Sequence, residues 1–135
     1  MDRRTFCLTG LAALAAPSLA LAKSMDYSDG LAKKHLAKGD VVFLDFKASW
    51  CSTCAAQERV INALKDANPN YGKKVTFIDV DWDKHGKSAL VKEYNIPRRS
   101  TLVVLQGDKE LGRIVAGTGK AEIKALMDVA LNAAS

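Results

Sequence analysis

Residues 46–58 read FKASWCSTCAAQE, which sets Cys51 and Cys54 three apart where an apolar run ends and a helical pattern begins. Within the first turn of a helix, residues i and i+3 lie about 5 to 6 Å apart, a separation a disulfide can bridge. The pair can therefore open and close without backbone movement. Three uses fit this spacing: a catalytic dithiol, part of a metal site, or a structural staple. The staple is a weak device, because closing a four-residue ring contributes about 2 kcal/mol against about 3 for fifteen residues.

The pattern around this junction alternates between periods. A helical stretch near 28–38 carries Leu31 and Leu36 and stops at Gly39; VVFLDF, residues 41–46, reads as a buried central strand running into the cysteines. The next helix spans 52–67. A second strand starts at Val75, a helix covers 87–94, and a third strand starts at Thr101. Gly107-Asp108 makes a turn into a fourth strand, ELGRIVAG. The chain closes on an amphipathic helix, KAEIKALMDVALNAA, with Ile123, Leu126, Met127 and Leu131 on one side. Strands separated by helices imply parallel crossovers, and the late tight turn implies a hairpin. The expected class is α/β, a central mixed β-sheet with helices on both faces.

At 135 residues and 48% hydrophobic content the chain suits a single compact domain. Its first 22 residues read as something else. Arg3 and Arg4 precede an apolar stretch ending in Ala20-Leu21-Ala22, the form of a cleaved export signal. The stretch is too short to span a bilayer and is interrupted by Pro17. RRTF resembles a twin-arginine start, with Cys7 where that pattern has Leu; a plain secretory signal is the other route. The expected organisation is a signal at 1–22, cleaved after Ala22, a domain at 23–135, and a periplasmic location. Removing two arginines and one aspartate lowers the net charge from +5 to +4. Lysines scattered among acids, with no dense run, argue against nucleic-acid binding. Cys7 leaves with the signal, so Cys51 and Cys54 alone remain in an oxidising compartment.

FLDFKASWCSTC on a strand and then a helix, followed by β-α-β-β-α, resembles the thioredoxin family over residues 28–134. Trp50 before the cysteines and Asp45 in the strand add to the likeness. The export signal and Glu58, four residues after Cys54, make the chain more similar to periplasmic thioredoxin-like domains than to cytoplasmic thioredoxin. The resemblance implies a thioredoxin-fold thiol:disulfide oxidoreductase, a reductase or electron relay. It would act on protein disulfides, draw electrons from a membrane or periplasmic donor, use no cofactor and work as a monomer.

The residue roles follow from that likeness and from chemistry. Cys51 at the helix N-terminus meets unsatisfied N–H groups and the positive end of the dipole, which favour thiolate, so it attacks. Cys54, a turn inside, resolves the mixed disulfide. Asp45, desolvated among Val, Phe and Leu, is the expected proton acceptor, with Glu58 as a relay or a surface acid paired with a lysine. Trp50, Arg99, Ser100 and Thr101 are the expected substrate-binding residues, and Arg99 can bring positive charge near Cys51.

Two positions depart from the family. Ser100 stands where thioredoxins carry a cis-proline, since Pro97 comes three residues early. A cis bond before a non-proline residue costs about 3 to 4 kcal/mol, so the loop is expected to be trans, or strained for a purpose. The family's proline also keeps metals from the dithiol. Phe77 stands where thioredoxin has a lysine near the buried acid, which would leave Asp45 still less willing to ionise. The alternative function is a metal-binding or metal-delivery module with Cys51 and Cys54 as thiolate ligands, although two ligands are fewer than a closed site needs. His35 and His85 lack metal-ligand spacing to the pair and read as surface histidines.

Overall fold

A computed structural model describes residues 24–135. The expected export signal, its cleavage point and Cys7 lie outside the described residues. Within them the order is β1 (Met25–Asp26), α1 (Leu31–Ala37), β2 (Val41–Lys47), α2 (Ser52–Ala67), α3 (Asn70–Lys74), β3 (Thr76–Asp81), α4 (Trp82–His85), α5 (Ala89–Glu93), β4 (Thr101–Gln106), β5 (Lys109–Val115) and α6 (Lys120–Ala134).

The five strands form one sheet in the order β1-β3-β2-β4-β5. β3 pairs parallel with both β1 and β2, whereas β4 pairs antiparallel with β2 and β5. The sheet is mixed, as the crossovers and the late hairpin require, and this is the thioredoxin fold that the resemblance implied. Side chains on a strand alternate between faces, and β2 and β3 divide accordingly. Phe43 and Phe77 join the core under α2, α3 and α6. Val42, Leu44, Phe46, Ile78 and Val80 join the core under α1 and α5.

The expected helix at 52–67 and the C-terminal helix form as read, because their apolar spacing is long enough to leave one interpretation. The helix expected over 28–38 begins at Leu31, after Gly30 takes a left-handed φ of 84° that an entering helix does not share. The helix expected over 87–94 shortens to Ala89–Glu93, held at its start by the Ser88 hydroxyl accepting from the Val91 N–H. β1, α3 and α4 are additions to the expected order. Each is two to five residues long, too short to carry a period.

Candidate active site

β2 delivers the chain from the core to the surface. Phe46 is fully buried, Lys47 is half-buried, and the backbone turns through Ala48 to Trp50 before Cys51 caps α2. As the residue before the helix, Cys51 has extended backbone, and its sulfur accepts the Cys54 N–H at 3.1 Å, as a serine or aspartate cap would. Cys51 and Cys54 form a disulfide across a Cα separation of 5.3 Å. The two sulfur-bearing residues differ little in exposure in this form: Cys51 is 4% exposed and Cys54 1%. What distinguishes the two is position, since Cys51 lies at the open end beside Trp50, which is 59% exposed.

The segment before β4 faces the sulfurs. All peptide bonds among the described residues are trans, and Ser100 has a φ of 64°. A non-glycine residue in the left-handed region carries a cost of about 1 to 3 kcal/mol and persists when its surroundings over-determine it. Here they do. The Ser100 N–H donates to Phe46 O at 2.6 Å, and its carbonyl accepts from the Ala116 N–H at 2.8 Å and from Gln57 Nε2 at 2.9 Å. Gln57 also reaches Gly117 O at 2.9 Å, tying α2 to both flanking segments. The Ser100 side chain turns inward, with Oγ 3.1 Å from each sulfur.

Ser100 and Thr101 are both fully buried, and the Thr101 hydroxyl donates to Arg98 O at 2.7 Å. The open side of the expected binding group is thus Trp50 and Arg99. The Arg99 guanidinium lies over the Trp50 ring, 4.6 Å from its centroid, and its Nε is buried without a hydrogen-bond partner. The Trp50 indole N–H donates to the Asp83 carboxylate at 3.0 and 3.1 Å. Nothing in the sequence pattern marked Asp83, which reaches Trp50 only because α4 folds back beside the cysteines.

Behind the sulfurs, Asp45 lies on the sheet face covered by α2, opposite Asp79 in the β2–β3 register. Burial pushes its carboxyl up to about 7, with the Asp79 charge adding and Lys47 opposing. Its Oδ1 has no hydrogen-bond partner. A cavity of about 30 Å³ touches Asp45, Lys47, Glu58 and Asp79, room for a water molecule. Glu58 pairs with Lys47, the lysine partner that one of its two expectations called for, and it lines the same cavity as Asp45. Burial alone would lower Lys47, but its bond to Glu58 and the Asp79 and Asp45 charges outweigh that and raise it.

The lysine that Phe77 replaces has a counterpart on α2. The Lys65 ammonium sits 3.9 Å over the Phe77 ring, buried, its pKa lowered by desolvation against the opposing pull of Asp79 and Asp45. The sequence reading missed Lys65. Its signal was present, since it is four residues after Ile61 and eleven after Cys54, on the buried stripe of α2.

The metal-delivery alternative finds no support. Among the described residues no third Cys, His, Asp or Glu joins the two sulfurs in a group that could hold an ion. His35 pairs with Asp40 at 2.8 Å, and His85 packs edge-on against Tyr27 at 5.0 Å.

Comparison with known proteins agrees with this geometry. The profile of the Thioredoxin family matches residues 21–129. Thioredoxin H2 of Arabidopsis thaliana is 33% identical over 62% of this chain and 58% of its own length. Thioredoxin H2-1 of rice is 31% identical over 71% of this chain and 64% of its own length, so the chain spans somewhat under two thirds of these plant relatives. Putative thioredoxin-4 of Dictyostelium discoideum is 30% identical over 69% of this chain and 83% of its own. Among solved structures, Trxlp from Edwardsiella tarda superposes with a TM-score of 0.63 at 28% identity, covering 78% of this chain and 96% of that one.

Proposed function

Because the chain belongs to the thioredoxin family, we propose that it is a thiol:disulfide oxidoreductase that reduces, or relays electrons to, protein disulfides through Cys51 and Cys54. The observation that carries this reading is the Cys51–Cys54 disulfide at the N-terminus of α2, with a desolvated acid behind it. In the reduced protein the Cys51 thiolate attacks a substrate disulfide, forming a mixed disulfide and releasing one substrate thiolate. Cys54 gives its proton to Asp45 and attacks Cys51 Sγ. The second substrate thiolate leaves, and two electrons have passed from the dithiol to the substrate. Trp50 and Arg99 present the open surface on which a substrate segment rests.

In this reading the protein works as a monomer after export to the periplasm, and a membrane or periplasmic donor returns it to the dithiol. Arg3, Arg4 and the Ala20-Leu21-Ala22 ending support the export step. An oxidising compartment also suits a chain left with a single cysteine pair.

The test is reduction of insulin disulfides by the dithiol form. Cys51→Ser should abolish it, and Cys54→Ser should trap substrate on Cys51 as a mixed disulfide. Trapping by Cys51→Ser instead would reverse the roles, and no reduction by the parent would end the reading.

A further inference from the structure

Ser100 occupies a place in the fold that a ring without a hydroxyl would fill in the resembled family, and it sets an oxygen beside both reacting atoms, equidistant from the bonded sulfurs. Its Oγ is 3.1 Å from Cys51 Sγ and 3.1 Å from Cys54 Sγ, and the residue is fully buried. The backbone cannot swing this hydroxyl away. Ser100 is pinned through its N–H to β2, and through its carbonyl to Gln57 of α2 and to Ala116 beyond β5. We infer that Ser100 is a catalytic residue whose single hydroxyl hydrogen is donated to whichever cysteine sulfur carries the negative charge.

A serine hydroxyl has one hydrogen to give and lone pairs with which to accept. Between two neutral sulfurs it gains little, since divalent sulfur is a weak acceptor. Against a thiolate the bond is charge-assisted and about twice as strong. Buried from water, Ser100 then adds to the Cys54 N–H already aimed at Cys51 Sγ.

This deepens the proposed redox reading and rests on it. In the resting dithiol the hydrogen points to the Cys51 thiolate. Once Cys51 has attacked and joined the substrate sulfur, its charge is gone with the departing substrate thiolate. Cys54 loses its proton to Asp45, and the Ser100 hydrogen turns to the new Cys54 thiolate. Cys54 then attacks Cys51 Sγ, the bond from Cys51 to the substrate breaks, and the second substrate thiolate leaves. Ser100 keeps its proton throughout, so it changes no electron or proton count.

Two variants separate the hydroxyl from the backbone. Ser100→Gly suits the left-handed φ and removes the hydroxyl, whereas Ser100→Ala keeps the Cβ and removes the hydroxyl alone. The measurement is the pH dependence of thiolate absorbance, and of alkylation at Cys51, in the fully reduced protein. Both variants should titrate Cys51 about one unit higher, a tenfold loss of thiolate preference. Both should also favour the disulfide about tenfold more in equilibrium with glutathione, because the reduced form has lost stabilisation. Titration unchanged in both variants, or shifted in only one of them, would overturn the inference. The titration needs no substrate, so its outcome is separate from whether the parent reduces protein disulfides.

Discussion

The two faces of the paired strands β2 and β3 are built from alternate residues of the same short segments, yet they do opposite work. On one face Val42, Leu44, Phe46, Ile78 and Val80 are wholly buried beneath α1 and α5, with no charged side chain among them. On the other, Phe43 and Phe77 give way to Asp45 and Asp79, which share a small cavity with Lys47 and Glu58 while Lys65 leans over the Phe77 ring. A period of two lets a single strand secure the core with one set of residues and place a reluctant acid behind the cysteines with the other. The dry face supplies stability. The charged face gives up some of it to hold Asp45, Asp79 and Lys65, which burial has displaced from their ordinary ranges.

The sharpest way to break this comparison is to damage the dry face. Phe46→Ala empties a fully buried site and should cost about 3 to 5 kcal/mol in denaturant unfolding. The Asp45 midpoint should stay where it is in whatever fraction remains folded. A shift of the acid with this substitution would mean that the faces are not separate.

The charged face should respond in the opposite sense. An unfolded aspartate titrates near 3.8, and the folded Asp45 at about 7. Between these values the native state holds a proton that the unfolded chain has lost. The contribution to stability is therefore complete below the lower value and falls away as pH rises through the upper one. Asp45→Asn removes that dependence, so above pH 8 it should be more stable than the parent by as much as about 4 kcal/mol. Equal unfolding midpoints for the two proteins across this range would show that Asp45 is not held neutral by the fold.

Much of this plan was legible in the chain. The apolar run at 41–46, the period of α2 and the hairpin at Gly107 set out the sheet and put the cysteines at a helix start. Asp45 was conspicuous as an acid in an apolar strand. Ser100 was conspicuous as a departure, but its distance to the sulfurs was not, because that contact joins residues 46 and 49 positions apart and depends on a left-handed backbone that no local pattern announces. Lys65 was hidden by habit, a lysine on a helix being read as solvent-facing although its spacing put it on the buried stripe. The short α4 that brings Asp83 to Trp50 has no periodicity to read.

Lys65→Met sharpens the comparison with a smaller effect. It keeps the volume of the stem over Phe77 and removes the ammonium. Asp45 should then titrate higher, and disulfide reduction at pH 7 should slow by a factor of a few, with the unfolding free energy nearly unchanged. A parent-like Asp45 titration in this variant would assign the balancing charge to Lys47 alone.

The central claim is that the acid on the charged face takes the proton from Cys54. Its most direct test is the rate of protein-disulfide reduction between pH 5 and 9 for the parent and for Asp45→Asn. The account predicts a parent rate that rises through a midpoint near 7, and a variant that is slower and lacks that step. Superimposable profiles would contradict it, leaving Asp45 as a buried acid with no part in the chemistry.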